Sequence, residues 1–110
     1  MKRIDAVIRE QNLDNVKTQL MRIGVEGLTV AKVMGFGQQK RTEVYRGVEY
    51  LVPFRNLFLT IIARDDQVTE IVDAILEGAR SGKIGDGKVF VSSIEEVVRI
   101  RNGEIGKAAV

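Results

Sequence analysis

The chain has 110 residues, with 17 lysines and arginines against 15 aspartates and glutamates, and it contains neither histidine nor cysteine. The length suits a single domain, and the two missing residue types exclude disulfide frameworks, thiolate chemistry, histidine-ligated zinc and histidine-dependent catalytic triads. No apolar run approaches the ~20 residues of a membrane span and the start carries no signal core, so we expect a cytoplasmic protein without membrane insertion.

The first half of the chain begins with a strand, a helix and a second strand. Residues 3–9 are a short apolar run that is typical of a buried strand. Asn12 is placed to cap a helix, which Gly24 then ends. Residues 27–35 are rich in β-branched side chains and predict the second strand. The apolar stripe of the helix is formed by Leu13, Val16, Leu20 and Ile23.

The second half of the chain also predicts a strand, a helix and a further strand. Residues 57–63 are the strongest strand pattern, and Asp65 or Asp66 is expected to cap a helix that runs to about Ala79. Residues 88–92 predict another strand, and residues 97–101 a brief last one. The order β-α-β-β-α-β predicts an α+β, ferredoxin-like fold with both helices on one face of an antiparallel sheet. That fold hosts many functions and decides none of them.

Residues 36–54 are too long for an ordinary connection between strands. Four of the six aromatic side chains of the chain lie here, namely Phe36, Tyr45, Tyr50 and Phe54. We therefore predict an arm that projects from the domain and contacts a partner. Residues 44–52 could instead extend the strands into a long hairpin that turns near Arg46. A mobile hairpin with incidental tyrosines is the alternative to a contact surface.

Two glycine-rich segments, residues 35–40 and 82–88, each combine glycines with lysine. Glycines let backbone N–H groups approach phosphate oxygens, and lysine supplies compensating charge. Neither segment has Walker-loop spacing, and each alone is more often a plain turn. Arg99 and Arg101, alternating on the predicted final strand, would add two guanidinium groups side by side. Together these features indicate a nucleotide site. Asp86, between two glycines, is interpreted as a turn former, with a metal role as the minority reading.

With these features placed, the sequence resembles the P-II nitrogen regulatory protein family over essentially the whole chain. The resemblance rests on four motifs in order, Gly-Phe-Gly-Gln-Gln-Lys at 35–40, Thr-Glu-Val-Tyr-Arg-Gly-Val-Glu-Tyr at 42–50, Ser-Gly-Lys-Ile-Gly-Asp-Gly-Lys at 81–88 and Val-Arg-Ile-Arg-Asn-Gly-Glu at 98–104. It implies one domain over residues 1–110, with a target-binding arm at 36–54 and a tail at 102–110. It also implies a homotrimer with nucleotide sites in the clefts between subunits.

The resemblance further implies a set of site residues. Gln39 resembles the side chain that helps to hold Mg²⁺ and 2-oxoglutarate beside ATP, and Tyr50 occupies the place where some family members are uridylylated. Tyr45, Arg46 and Tyr50 would contact target enzymes or membrane transporters of nitrogen metabolism. The implied contacts to ATP or ADP, which compete in this family, are Thr29, Gly37, Gln38, Ile62, Gly85, Asp86, Gly87, Lys88, Arg99 and Arg101.

Three departures from the family pattern concern the arm and its exit. The arm is one residue short after Lys40, and the stretch that follows Phe54 is again one residue short. Pro53 stands where the family has an acidic residue. Asn56 aligns with a lysine that pairs with 2-oxoglutarate in the family. We expect the loss of that charge to weaken dicarboxylate binding by ~1.5–3 kcal/mol, with Arg55 and Arg9 as candidates to compensate for it.

The leading hypothesis is therefore a nucleotide-sensing regulator that is not an enzyme. A divergent P-II-like regulator, which keeps the nucleotide site but has changed or lost 2-oxoglutarate sensing and serves inorganic carbon or nitrogenase control, is the second. A third hypothesis is an RNA module on the sheet face, which needs stacking aromatics there. Only Phe58 and Phe90 lie on predicted strands, so we expect no nucleic-acid partner.

Overall fold

The computed structural model describes residues 1–35, 41–45, 48–52 and 54–110. Its helices and strands confirm the predicted α+β, ferredoxin-like order, with a two-stranded hairpin added between the second and third strands of the main sheet. The elements are β1 (Lys2–Arg9), α1 (Leu13–Arg22), β2 (Thr29–Gly35), β3 (Arg41–Tyr45), β4 (Val48–Val52), β5 (Phe54–Ala63), α2 (Val68–Ala79) and β6 (Lys88–Ser93).

The main sheet has the strand order β2-β5-β1-β6, and every neighbouring pair is antiparallel. Side chains alternate between its two faces, so β1 buries Ile4, Ala6 and Ile8 on the side that the helices cover. The core on that side is completed by Val16, Leu20, Leu57, Leu59, Ile61, Ala63, Ile71, Ala74, Ile75 and Ala79. Among the described residues no layer covers the other face, which we call the open face.

Helices α1 and α2 pack against each other at very short range. A Cβ built on Gly78 would lie 2.6 Å from the Cα of Val16, so only glycine allows this approach of the two backbones. Gly78 thus lies inside α2, where the absence of a side chain serves the packing of the two helices. Gly24 ends α1 with φ +86°, as predicted. Neither helix of the described ranges is long and apolar enough to span a membrane.

The predicted capping residues take other roles. Asn12 occupies the N-cap position of α1, but its side-chain amide donates to the carbonyl of Ala79 at 3.3 Å. Asp65 and Asp66 do not cap the second helix, so that prediction was wrong. The Oε1 of Gln67 instead accepts a hydrogen bond from the N–H of Arg64 at 3.1 Å. Local charge explains the difference, because Asp65 pairs with the Met1 amino group at 2.8 Å and Asp66 with the Arg64 guanidinium at 3.2 Å.

The arm contains the hairpin that the alternative interpretation predicted. Strands β3 and β4 pair in register from Arg41 with Val52 to Tyr45 with Val48, so two residues connect them at the expected place. Tyr45 and Tyr50 lie on these strands, where the structure describes the backbone alone. Several predicted functional or unusual positions lie outside the described residues, and these are Phe36, Gly37, Gln38, Gln39, Lys40, Arg46 and Pro53.

The predicted last strand, residues 97–101, is not a strand. Within residues 54–110, this segment forms only the isolated bridge of Val98 with Ile105. The chain reverses instead, because the N–H of Arg99 donates to the Glu104 carbonyl and the N–H of Gly103 to the Arg99 carbonyl, both at 2.8 Å. Asn102 and Gly103, with φ +72° at the glycine, favour this reversal over an extended edge. We call residues 97–106 the C-terminal turn.

Candidate functional site

The predicted site residues begin with the glycine loop, which we define as residues 81–88. Lys88 pairs with Val7 near the end of β1, and Gly35 pairs with Phe54 at the start of β5. Strands β1 and β2 therefore both finish at this end of the sheet, which also holds the glycine loop. The two glycine-rich segments of the sequence thus start from the same edge, although residues 36–40 themselves lie outside the description.

One carboxylate organises the glycine loop from within. Oδ2 of Asp86 accepts hydrogen bonds from the N–H groups of Ser81 at 2.7 Å and Gly82 at 2.9 Å. Oδ1 accepts one from the Ser81 hydroxyl. These bonds tie the first two residues of the loop to its sixth, which is the turn-forming arrangement expected of aspartate between glycines.

The same bonds set the ionisation of that carboxyl group. The pKa of Asp86 is held below its ordinary value, first by the Ser81 hydroxyl, then by the Ser81 N–H, with smaller contributions from the Gly82 N–H and from Arg9. Because the folded-state pKa is lowered, the stabilisation is present above the ordinary carboxyl pKa and is lost as the pH falls through the lowered value. Asp86 is therefore anionic at neutral pH.

Arg9, at the end of β1, holds the opposite side of the loop. Its Nη2 donates to the carbonyl of Ile84 at 2.7 Å, and its Nε donates to the carbonyl of Gly85 at 3.1 Å. Nη2 also lies 3.8 Å from the Asp86 carboxylate. Two nitrogen atoms of the Arg9 guanidinium are thus bonded to the glycine loop. Whether Arg9 also compensates for the lysine that the family resemblance places at Asn56 stays a prediction.

The end of the loop is pressed against β1. Gly87 has φ +98°, and a Cβ built on it would lie 1.6 Å from the carbonyl oxygen of Val7. Glycine is therefore required twice, by backbone angle and by space. Lys88 follows on the open face, level with Val7, and is exposed. Gly85 also has a positive φ of +99°.

A second group of predicted residues lies at the opposite end of the sheet. Thr29 pairs with Thr60, and Ile62 lies two residues further along β5. A groove of about 660 Å³ runs here beside Val97 of the C-terminal turn. Arg64 also lines the groove and was not among the site residues predicted from the sequence. Its position directly after a buried strand, two residues beyond Ile62, is the sequence feature that could have indicated it.

The two predicted arginines of the C-terminal turn differ in their surroundings. Nη1 of Arg99 donates to Oε2 of Glu104 at 2.9 Å, and both side chains are partly exposed. Arg101 is exposed, and within the described residues its side chain has no hydrogen bond or ion pair. The two guanidinium groups therefore do not form the matched pair on a strand that the sequence predicted.

The candidate residues thus divide between the two ends of the main sheet. Arg9 of β1 contacts the glycine loop and pairs with Asn56 of β5. Ile62 lies six residues further along β5, which corresponds to a distance of ~20 Å. The structure brings together Gly85, Asp86, Gly87 and Lys88 at one end, and Thr29, Ile62 and the C-terminal turn at the other.

The residues expected to hold Mg²⁺ or a dicarboxylate are only partly visible. Asn56 lies beside Arg9 and Val33 at the glycine-loop end. The Arg55 side chain and Gln39 lie outside the description. In the part of the chain that is described, no three carboxylate side chains gather into a metal site.

Comparison with known proteins gives a consistent family. The family model described as "Nitrogen regulatory protein P-II" matches residues 1–104. The chain is 51% identical to the nitrogen regulatory protein P-II of Microchaete diplosiphon and 47% identical to that of Pasteurella multocida, with the full length of both sequences covered in each case. A crystal structure of the PII protein from Arabidopsis thaliana bound to citrate is similar with a TM-score of 0.83 and 34% identity, covering 99% of this chain and 91% of that one.

The length of these alignments bears on the shortened arm. The alignment to the Microchaete diplosiphon protein has 112 positions and covers all 110 residues here. This chain therefore lacks two residues that the relative has. The total agrees with the two single-residue departures read from the sequence, while their exact places stay a prediction.

Proposed function

The chain belongs to the nitrogen regulatory protein P-II family, and we propose that it is a nucleotide-sensing regulator which binds ATP or ADP between two copies of itself. The family and its relatives are named for regulation, which supports a regulatory role for this chain. ATP with Mg²⁺ would favour one arrangement of the arm and ADP another. Such a switch works only through different affinities for the two arrangements.

The separation of the two halves of the site is the observation that carries this proposal. The glycine loop offers backbone N–H groups and Lys88, which suit phosphates. The groove at the other end offers Thr29 and the main chain at Ile62, beside apolar walls that suit a base. A second copy that sets its groove against this loop would complete one site. Arg101 would then contribute a guanidinium group from that copy to the phosphates.

The open face of the sheet supports association of the chain with itself. Phe58, Val7 and Phe90 lie on this face, and Phe90 is 52% exposed. Aromatic and aliphatic side chains exposed on a sheet face are energetically costly in water and are a common basis for oligomers. We propose a homotrimer, in agreement with the expectation from the family resemblance.

The arm is proposed to carry the signal to target enzymes or membrane transporters of nitrogen metabolism. Tyr45, Arg46 and Tyr50 would make contacts there, since tyrosine and arginine are enriched in protein interfaces. Tyr50 is the candidate for uridylylation, which would add a bulky anion to that surface. Gln39 would help to hold Mg²⁺ and 2-oxoglutarate when ATP is bound.

A second candidate function differs in its small-molecule signal. The family resemblance places Asn56 where relatives carry a charged partner of 2-oxoglutarate, and Arg9 donates to the Ile84 and Gly85 carbonyls. Together, this expectation and these contacts favour a regulator that retains nucleotide binding but responds weakly or not at all to 2-oxoglutarate. The dicarboxylate response then decides between the two candidates.

Calorimetry on the purified protein tests both candidates, with the oligomeric state measured by light scattering. We expect ATP and ADP to bind with micromolar affinity, with one site per chain in a trimer. The absence of nucleotide binding below millimolar concentration would refute the proposal. If 2-oxoglutarate does not strengthen ATP binding in the presence of Mg²⁺, the second candidate is correct.

A further inference from the structure

We propose that Arg9 and Asp86 form a positioning pair, which shapes the glycine loop for phosphates without contacting the ligand. This inference rests on the proposed nucleotide site and changes the role of two of its residues. Asp86 was implied as a nucleotide contact, and Arg9 was considered for a dicarboxylate. The geometry assigns both of them to the inside of the loop.

Arg9 orients two successive peptide units. In a trans peptide the carbonyl and the N–H point in opposite directions, so a carbonyl drawn toward Arg9 turns the following N–H away from it. The Ile84 carbonyl accepts from Nη2 at 2.7 Å, which directs the Gly85 N–H outward. That N–H donates to no acceptor within the described residues. It is therefore available to an anion, and the absence of a side chain at Gly85 leaves the approach open.

Asp86 draws in the N–H groups on the other side of the loop. Those of Ser81 and Gly82 point to its carboxylate at 2.7 and 2.9 Å, so they are not available to a phosphate. A carboxylate that faced the ligand would also repel it, whereas this one is satisfied by three donors and lies 3.8 Å from a guanidinium. The charges of the pair largely cancel. The remaining positive charge of the loop is that of Lys88 and Lys83.

A double variant distinguishes side chains that contact the ligand from side chains that only position the loop. If Arg9 and Asp86 act through one loop conformation, replacing either side chain releases the loop and lowers ATP affinity. Replacing both then lowers ATP affinity little further. If each contacted the ligand independently, the two losses would add. Arg22, an exposed arginine on α1 without a partner among the described residues, provides a matched control.

The experiment is calorimetry with ATP on the full chain and on the variants Arg9→Gln, Asp86→Asn, the double variant and Arg22→Gln, with amide NMR spectra of each protein before ATP is added. We expect each single variant to lose about 10-fold in ATP affinity, and the double variant to lose about as much as the single variant that binds ATP more weakly. Arg22→Gln should bind ATP as the unchanged chain does. Both single variants should shift the amide signals of residues 82–88 in the same way.

Other results would overturn the inference. Additive losses in the double variant would make both side chains independent contacts of the ligand. Unchanged ATP binding in the single variants would remove the positioning role and leave the proposed function intact. If the unchanged chain fails to bind ATP, the proposed function falls and this inference falls with it.

Discussion

The glycine loop and the C-terminal turn are the two charged parts of the candidate site, and they are built in opposite ways. In the loop, Asp86 and Arg9 satisfy each other and the backbone, and Gly87 is in tight contact with β1. In the C-terminal turn, Arg101 is exposed and a Cβ on Gly103 would meet nothing within 4 Å.

This difference indicates which half is complete within one chain. The loop is rigidly supported by its own subunit, so its N–H groups are oriented before a ligand arrives, which lowers the cost of binding. In the proposed assembly the C-terminal turn would offer its side chains to a second copy, and its Ile100 is fully exposed to solvent among the described residues. We therefore expect the loss of a packed glycine in the loop to affect mainly folding, and the loss of an exposed arginine in the turn to affect mainly ligand binding.

The largest expected effect comes from Gly87→Ala. The new Cβ would overlap the Val7 carbonyl oxygen, and alanine would also be strained at φ +98°. The backbone of the loop or of β1 must move, so we expect the free energy of unfolding to fall by about 4 kcal/mol. Urea denaturation followed by circular dichroism, at one fixed protein concentration, measures this change. A loss below about 1 kcal/mol would show that the loop is not packed as described.

The next effect in size is on ligand binding and comes from Arg101→Gln. The Arg101 guanidinium has no partner among the described residues and is proposed to contact the phosphates, so its removal should lower ATP affinity by about 10- to 100-fold while leaving the free energy of unfolding nearly unchanged. Calorimetry with ATP measures the first quantity and urea denaturation the second. Arg22→Gln is again the control. Equal ATP affinity in Arg101→Gln and the control would exclude the C-terminal turn from the phosphate site.

The smallest effect is expected from Gly103→Ala, the counterpart of Gly87→Ala in the C-terminal turn. The backbone angle of +72° is unfavourable for alanine, but the surrounding space is open. We expect a loss of about 1 kcal/mol in the free energy of unfolding, measured by the same urea denaturation. A loss as large as that of Gly87→Ala would contradict the contrast between a packed loop and an exposed turn.

Much of the fold could be predicted from the sequence because the signals are local. Apolar alternation in β1 and β5 and the helical stripes of α1 and α2 each depend on residues a few positions apart, and Gly24 ends α1 by its own conformational freedom. The wrong prediction of a last strand also came from a local pattern. The segment 97–101 has the apolar and charged alternation of a strand, yet among the described residues it forms an isolated bridge with Ile105 and does not join the free edge of β6, because Asn102–Gly103 reverses it.

The candidate site was predictable as a set of residue types and not as an arrangement. The glycines and lysines of residues 82–88 by themselves indicated an anion site, and the family resemblance named its members. What tertiary structure alone decided is that Arg9 holds the carbonyl of Gly85, 76 residues away in the chain, and that Thr29 and Ile62 lie at the far end of the sheet from them. Sequence patterns report which face or turn a residue prefers, whereas hydrogen-bond partners and distances between segments follow from the packing of strands whose order in the sheet differs from their order in the chain.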